Sequence, residues 1–341
     1  PDENFDNCPI SDGGDCAELS EKKTCEELNG FICNENEICD ESFLEAADTT
    51  DCCSATCDEL PSGTKTLKVA LANPHERNFE NAVEITRNVI IEKNPDLIIL
   101  HEFAFSVDPD TVNYIIVNEG KISQGDNLEL FESVNQIVEL AGDFETNILL
   151  TVKTAPGNGI TSLLINKEGQ IDYVYPKFGK AIKGIIYSKD DEEFSFFTGI
   201  CTSYDNPLWH GEENFNADLF LNPGWGGGAP FIISVMEYYQ YGEISDETFD
   251  FYFPELLERY DINSKADLTS RIEERSPPFD WIATIRNRFE SKDALNNNGF
   301  ILVSDEVISP GIIGQRKGNK PTNVEFGGSI DYVYAELEFP N

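Results

Sequence analysis

Eight of the nine cysteines fall before residue 58, and the ninth stands alone at Cys201. No other feature limits the possible folds of this chain as much. The eight are Cys8, Cys16, Cys25, Cys33, Cys39, Cys52, Cys53 and Cys57. They lie in a stretch with few large apolar residues, too short to hold itself together by burial, so crosslinks must supply what a core cannot. An even, dense set of this kind reads as a disulfide framework, which persists in oxidising compartments. Zinc is the alternative, but no Cys-x2-Cys pair and no histidine occurs among the eight. Cys201 is then left over as a free thiol, and a free thiol in a secreted protein needs a reason.

The cysteines also divide the chain. Residues 1–57 form a disulfide-rich module, the polar stretch 58–66 reads as a linker, and residues 67–341 form a large domain. In that domain strands and helices alternate. Leu67 to Ala72 is an apolar strand, and Phe79, Ala82, Val83, Val89 and Ile90 follow at helical spacing. Asp96 to His101 is a buried strand, Phe131, Val134, Val138 and Ala141 mark a second helix, and Ile148 to Val152 is a third strand. Ser162–Ile165 and Ile171–Tyr175 flank a Lys167-Glu168-Gly169 turn as a hairpin. Later strands are expected at Phe194–Ile200, Asp218–Leu221, Phe300–Val303 and Ile330–Tyr334. Alternation of this kind implies an α/β fold with a buried sheet, whose reactive groups gather at the carboxyl ends of strands.

Composition excludes several functions. Lys and Arg total 24 against 63 Asp and Glu, a net charge of −39. A surface that acidic repels phosphate backbones and anionic lipid, so no nucleic-acid partner is expected. The acidity reads as a solubilising coat in preference to a calcium-binding module. No run approaches the roughly 20 apolar residues that span a bilayer. Only His75, His101 and His210 occur, without metal-ligand spacing, so neither metal nor cofactor is expected. The sequence begins at Pro1 with no signal peptide, read as a leader already removed, and the expected location is secreted or cell surface.

Three segments carry a resemblance. Leu97-Ile-Ile-Leu-His-Glu102, Asp172-Tyr-Val-Tyr-Pro-Lys177, and Gly199-Ile-Cys201 with Ala217-Asp-Leu-Phe-Leu-Asn-Pro223 after it, occur in the order strand–Glu, hairpin–Lys, strand–Cys. This order resembles the carbon–nitrogen hydrolase (nitrilase and amidase) superfamily across about residues 67–340, with Asn81, Arg286 and Gly327-Gly-Ser329 as supporting matches. The resemblance implies a nitrilase-type α-β-β-α sandwich, a homo-oligomer and no cofactor. It implies Glu102 as general base, Lys177 as the cation beside the developing charge, Cys201 as nucleophile and the backbone N–H of Thr202 as a second donor. Tyr204 and Trp225 become pocket walls. The chemistry is coherent, because a thiol attacks best as thiolate and needs a base beside it.

The sequence departs from the family pattern at four places. His101 replaces the usual Pro, Thr202-Ser203 intervene before Tyr204-Asp205, and the interval from Lys177 to Cys201 is short. The accessory Glu has no clear counterpart; Glu192 or Glu193 could serve, although Asp190-Asp-Glu-Glu193 reads better as a solvated turn. The expected function is hydrolysis of a non-peptide C–N bond in a small amide or nitrile through a thioester or thioimidate. The alternative is an inactive nitrilase-fold surface or filament-forming protein. The Cys-rich module is expected to bind a cell-surface partner.

Overall fold

The structure is a computed structural model. It describes residues 23–32, 37–39, 52–54, 57–59, 64–74, 78–102, 104–105, 114–154, 159–177, 179, 182–200, 215–224, 270, 295–304, 311–314, 321–327 and 332–340. The chain divides into two compact units, Pro1–Ser62 and Gly63–Asn341.

In the first unit, β1 (Phe31–Ile32) and β2 (Glu37–Cys39) pair antiparallel with β3 (Cys52–Cys53) and β4 (Cys57–Glu59), respectively. Cys25 and Cys52 form a disulfide across 27 residues, and Cys53 is disulfide-bonded as well. Gly30 lets the crosslink pass: a Cβ there would lie 2.3 Å from the Cys52 sulfur. Cys8, Cys16 and Cys33 lie outside the described residues, as do the side chains of Cys39 and Cys57.

The second unit opens with β5 (Thr64–Ala72), α1 (Phe79–Lys93) and β6 (Leu97–Leu100). A small exposed hairpin of β7 (Ile116–Asn118) and β8 (Lys121–Ser123) precedes α2 (Leu128–Asp143) and β9 (Asn147–Lys153). Next come the hairpin β10 (Ile160–Ile165) and β11 (Ile171–Pro176), then β12 (Gly184–Tyr187), β13 (Glu193–Thr198) and β14 (Ala217–Pro223). The last strands are β15 (Leu295–Ser304), β16 (Gly311–Gly314), β17 (Thr322–Gly327) and β18 (Tyr332–Pro340). They assemble into a seven-stranded sheet, ordered β11-β10-β9-β6-β5-β18-β17, and a five-stranded sheet, ordered β12-β13-β14-β15-β16.

The pleat explains why the sheets stack. Along β5, Leu67, Val69 and Leu71 enter one apolar cluster, while Ala70 and Ala72 enter another. The first cluster lies between the sheets, where Phe339 of β18 meets Phe194 and Phe300 of the five-stranded sheet at ring distances of 5.1 and 5.4 Å. The second cluster lies under the helices, which bury Phe79, Ala82, Val83, Val89 and Ile90 of α1 and Leu130, Val134, Ile137 and Ala141 of α2. Both helices begin at an asparagine, Asn78 and Asn127, whose side-chain oxygen accepts first-turn N–H groups. Helix, sheet and sheet are thus three of the four layers of the expected α/β sandwich.

Asp96, just before β6, straps the two sheets together. Its carboxylate accepts the Lys68 N–H of β5 at 2.8 Å and the Lys189 N–H, beside β12, at 2.9 Å. Its carbonyl accepts from both the backbone and the side-chain amide of Asn147.

Three expectations are refined. Within the segment 58–66, expected as a linker, Glu59 ends β4 and Thr64–Thr66 begin β5, paired with Pro340–Glu338 of β18, while residues 60–63 lie outside the described residues. The buried face of α2 is rotated so that Phe131 and Val138 flank it instead of centring it, because Leu130, Ile137 and Leu140 offer the larger apolar stripe. Asp190-Asp-Glu-Glu193 forms the expected turn, and Glu192 and Glu193 stand at the opposite end of β13 from Gly199 and Ile200. They lie at the amino end of β13, where Glu192 accepts the Thr66 N–H at 3.1 Å and Asp191 turns with φ 60° and pairs with Lys167.

Candidate active site

The parallel strands β5, β6 and β9 point their carboxyl ends in one direction, and so do β13, β14 and β15. The two sets meet at that end. The Glu102 N–H donates to the Gly224 carbonyl at 3.2 Å, and the Ser304 hydroxyl donates to the Ala72 carbonyl at 3.2 Å. Gly224 in turn donates its N–H to the Ser304 carbonyl at 2.6 Å.

Glu102 follows β6 by two residues and is buried. Its backbone is fixed twice, by the bond to Gly224 and by the Thr151 hydroxyl, which donates to its carbonyl at 2.7 Å. One carboxylate oxygen, Oε1, accepts from Lys177 Nζ at 2.5 Å, and the other, Oε2, is buried without a hydrogen-bond partner among the described residues. Lys177 sits just past β11, its N–H donating to the Ile160 carbonyl at 2.8 Å, so the hairpin aims it. A buried carboxylate with one oxygen on a cation and the other unpaired can accept a proton from an incoming group.

The polar surroundings follow from register. Leu71, Ile99, Leu149, Leu164 and Tyr173 form one lateral row across β5, β6, β9, β10 and β11, and all belong to the core between the sheets. Two residues further toward the site, the same pleat phase gives Asn73, His101, Thr151, Ser162 and Tyr175. Ser162 faces Thr151 and Tyr175 directly in register. The Thr151 hydroxyl also lies 3.2 Å from the His101 carbonyl, and His101 Nε2 lies 3.1 Å from the Pro74 carbonyl. Apolar core therefore gives way to a polar row where Glu102 and Lys177 converge. His101 ties β6 to the end of β5.

Glu102 and Lys177, two of the sequence-derived site residues, are brought together. Cys201, Thr202, Tyr204 and Trp225 lie outside the described residues. The strand leading to Cys201 is described. β13 runs parallel to β14 with Thr198 opposite Leu221, Gly199 donates to the Leu221 carbonyl at 3.0 Å, and Ile200 is buried. Asn73, Thr151 and Ser162 escaped the sequence reading. Their signal was an unbroken pleat phase from strand into strand end, visible only once the strands were in register.

No family model matches the sequence, and no curated protein matches it. The solved structures it resembles include amidases and a carbon–nitrogen hydrolase. One is a cysteine-to-alanine mutant of the amidase from Nesterenkonia sp. AN1 in complex with butyramide, at 11% identity and a TM-score of 0.47, covering 82% of this chain and 93% of that one. Another is a carbon–nitrogen hydrolase from Helicobacter pylori G27, at 12% identity and a TM-score of 0.45, covering 80% and 89%. Overlaps of that size carry no residue roles across.

Proposed function

We propose that the second unit hydrolyses a C–N bond of a small linear amide or nitrile, with Glu102, Lys177 and Cys201 as the reacting groups. The observation that carries this reading is the Glu102–Lys177 ion pair at the carboxyl ends of the strands, with Glu102 buried and its Oε2 unpartnered among the described residues. Chain connectivity supports it: Cys201 is the next residue after Ile200, which is buried just past the carboxyl end of β13.

For an amide, the Cys201 thiol gives its proton to Glu102 as sulfur attacks the carbonyl carbon. Lys177 and a backbone N–H such as that of Thr202 stabilise the oxyanion, a kind of interaction worth about 100- to 1,000-fold in rate. The C–N bond breaks as Glu102 passes the proton to the departing amine, leaving a thioester. Water then attacks the thioester while Glu102 takes its proton and returns it to sulfur, which releases a carboxylic acid and restores the thiol. Tyr204 and Trp225 are assigned to the pocket walls. The disulfides of the first unit support secretion or cell-surface exposure. Assembly into a homo-oligomer and docking of the first unit to a surface partner belong to the same proposal.

The test is intact-mass spectrometry after iodoacetamide treatment without reductant, comparing the wild type with Glu102→Gln. Fast single labelling at Cys201, slowed about 100-fold or more in the variant, is the expected result. Slow labelling that ignores Glu102 would replace the hydrolase with an inactive surface or filament-forming protein of the same fold.

A further inference from the structure

Asn73 is fully buried, and neither its carbonyl oxygen nor its amide nitrogen has a hydrogen-bond partner among the described residues. An interior seldom leaves both a donor and an acceptor unmade on one side chain unless something else comes to meet them. Its position says what. Leu67, Val69 and Leu71 point between the sheets, and Pro74 holds the residue before it extended, so Asn73 continues that phase into the polar row. Ala72, next to it, pairs with Leu100 of β6 and accepts from Ser304 of the facing sheet. Asn73 therefore stands about one strand spacing, roughly 4.8 Å, from the His101–Glu102 backbone, on the side away from Lys177's hairpin.

Glu102 and Lys177 already serve the bond that breaks. Asn73 is set to one side of them by about one strand spacing, a distance that about three covalent bonds span. Its carboxamide offers a donor and an acceptor side by side, the complement of another –CO–NH– group. Resting on the hydrolase reading above, we propose that Asn73 is a specificity-determining residue. It binds a second amide-type group, carboxamide or ureido, carried on the acyl side of the substrate a few bonds from the scissile carbon. The substrate is then a short bifunctional amide, and a plain aliphatic amide or nitrile is a poor one, because it leaves Asn73 unsatisfied in the complex.

The test measures binding in the full chain carrying Cys201→Ala, which cannot turn over. The probes are succinamide and pentanamide, which differ mainly in the second carboxamide, and the readout is the concentration dependence of the melting temperature. Relative to the Cys201→Ala chain, Asn73→Leu should lower the succinamide-to-pentanamide affinity ratio by about tenfold, the loss of one neutral hydrogen bond. Asn73→Ser serves if the leucine variant does not fold, with the same expected direction. An unchanged ratio, or no shift with either probe before Asn73 is altered, overturns the proposal and leaves Asn73 with internal water only. Iodoacetamide labelling of Cys201 reads the hydrolase proposal separately. Slow, Glu102-insensitive labelling beside Asn73-dependent succinamide binding would remove the reaction and keep the site.

Discussion

The Glu102–Lys177 pair is lopsided, and the imbalance sets a measurable order of effects. The Glu102 side chain is 1% exposed and that of Lys177 is 19% exposed. Replacing Lys177 with Met strands a buried carboxylate whose Oε2 already lacks a partner among the described residues. Removing one member of a buried pair in this way costs about 3–5 kcal/mol. Replacing Glu102 with Gln leaves a lysine that can swing toward solvent and an amide oxygen that can still accept from it, so about 1 kcal/mol is expected. At about 2 °C per kcal/mol for a unit of this size, Lys177→Met should melt about 6–10 °C below the wild type and Glu102→Gln about 2 °C below. The double variant should resemble Glu102→Gln, because the stranded charge is gone. The assay is thermal unfolding of the full chain at pH 7, followed by far-ultraviolet circular dichroism. Equal losses, or a larger loss in Glu102→Gln, would refute the argument that the buried partner is the carboxylate.

Other outcomes follow from the same contacts. Asp96→Ala leaves the Lys68 and Lys189 N–H groups without their acceptor and should cost about 2–4 kcal/mol in urea unfolding, with Asp96→Asn recovering part of it. Burial, reinforced by the neighbouring Tyr175, raises the Tyr173 phenol well above its ordinary value of 10.0, and its hydroxyl donates to the Ile182 carbonyl. The folded state thus keeps a proton that the unfolded chain loses above about pH 10, so stability should fall as pH rises beyond that point. Tyr173→Phe should flatten that alkaline decline. Separately, removing the Cys25–Cys52 crosslink, which spans 27 residues, should cost the first unit about 3–4 kcal/mol, read as its unfolding midpoint with and without Cys25→Ala/Cys52→Ala.

The central strands of the second unit were legible because each is a short, dense apolar run. Leu97–Leu100 is unbroken, and only Lys68 interrupts Leu67–Ala72 and only Thr151 interrupts Ile148–Val152, a density that announces strands of a covered sheet. The strands that the sequence hid are short or exposed. Gly184–Tyr187 is an edge strand with an alternating exposure pattern, and the β7–β8 hairpin turns at Glu119-Gly120 with little burial to mark it. The opening of β5 was hidden because Thr64-Lys65-Thr66 is polar, and only its pairing with the far end of the chain makes it a strand. At the site, Glu102 and Lys177 could be named from motif order. Asn73 and Ser162 could not, since a polar residue at a strand end looks the same in sequence whether it faces solvent or a neighbour's pleat.

The seven-stranded sheet places β18 between β5 and β17 and beside the strand that opens the domain. All nine residues of β5 find their antiparallel partners in β18, from Thr64 with Pro340 to Ala72 with Tyr332. During synthesis, then, the first strand to emerge must wait for one made more than 250 residues later, with one long hydrogen-bonding edge unpaired meanwhile. Vectorial folding of this domain cannot finish before β18 has been made, so until then the nascent chain is a natural client for a holding chaperone. A chain truncated before Tyr332 leaves that edge of β5 unpaired and should aggregate instead of folding with reduced stability.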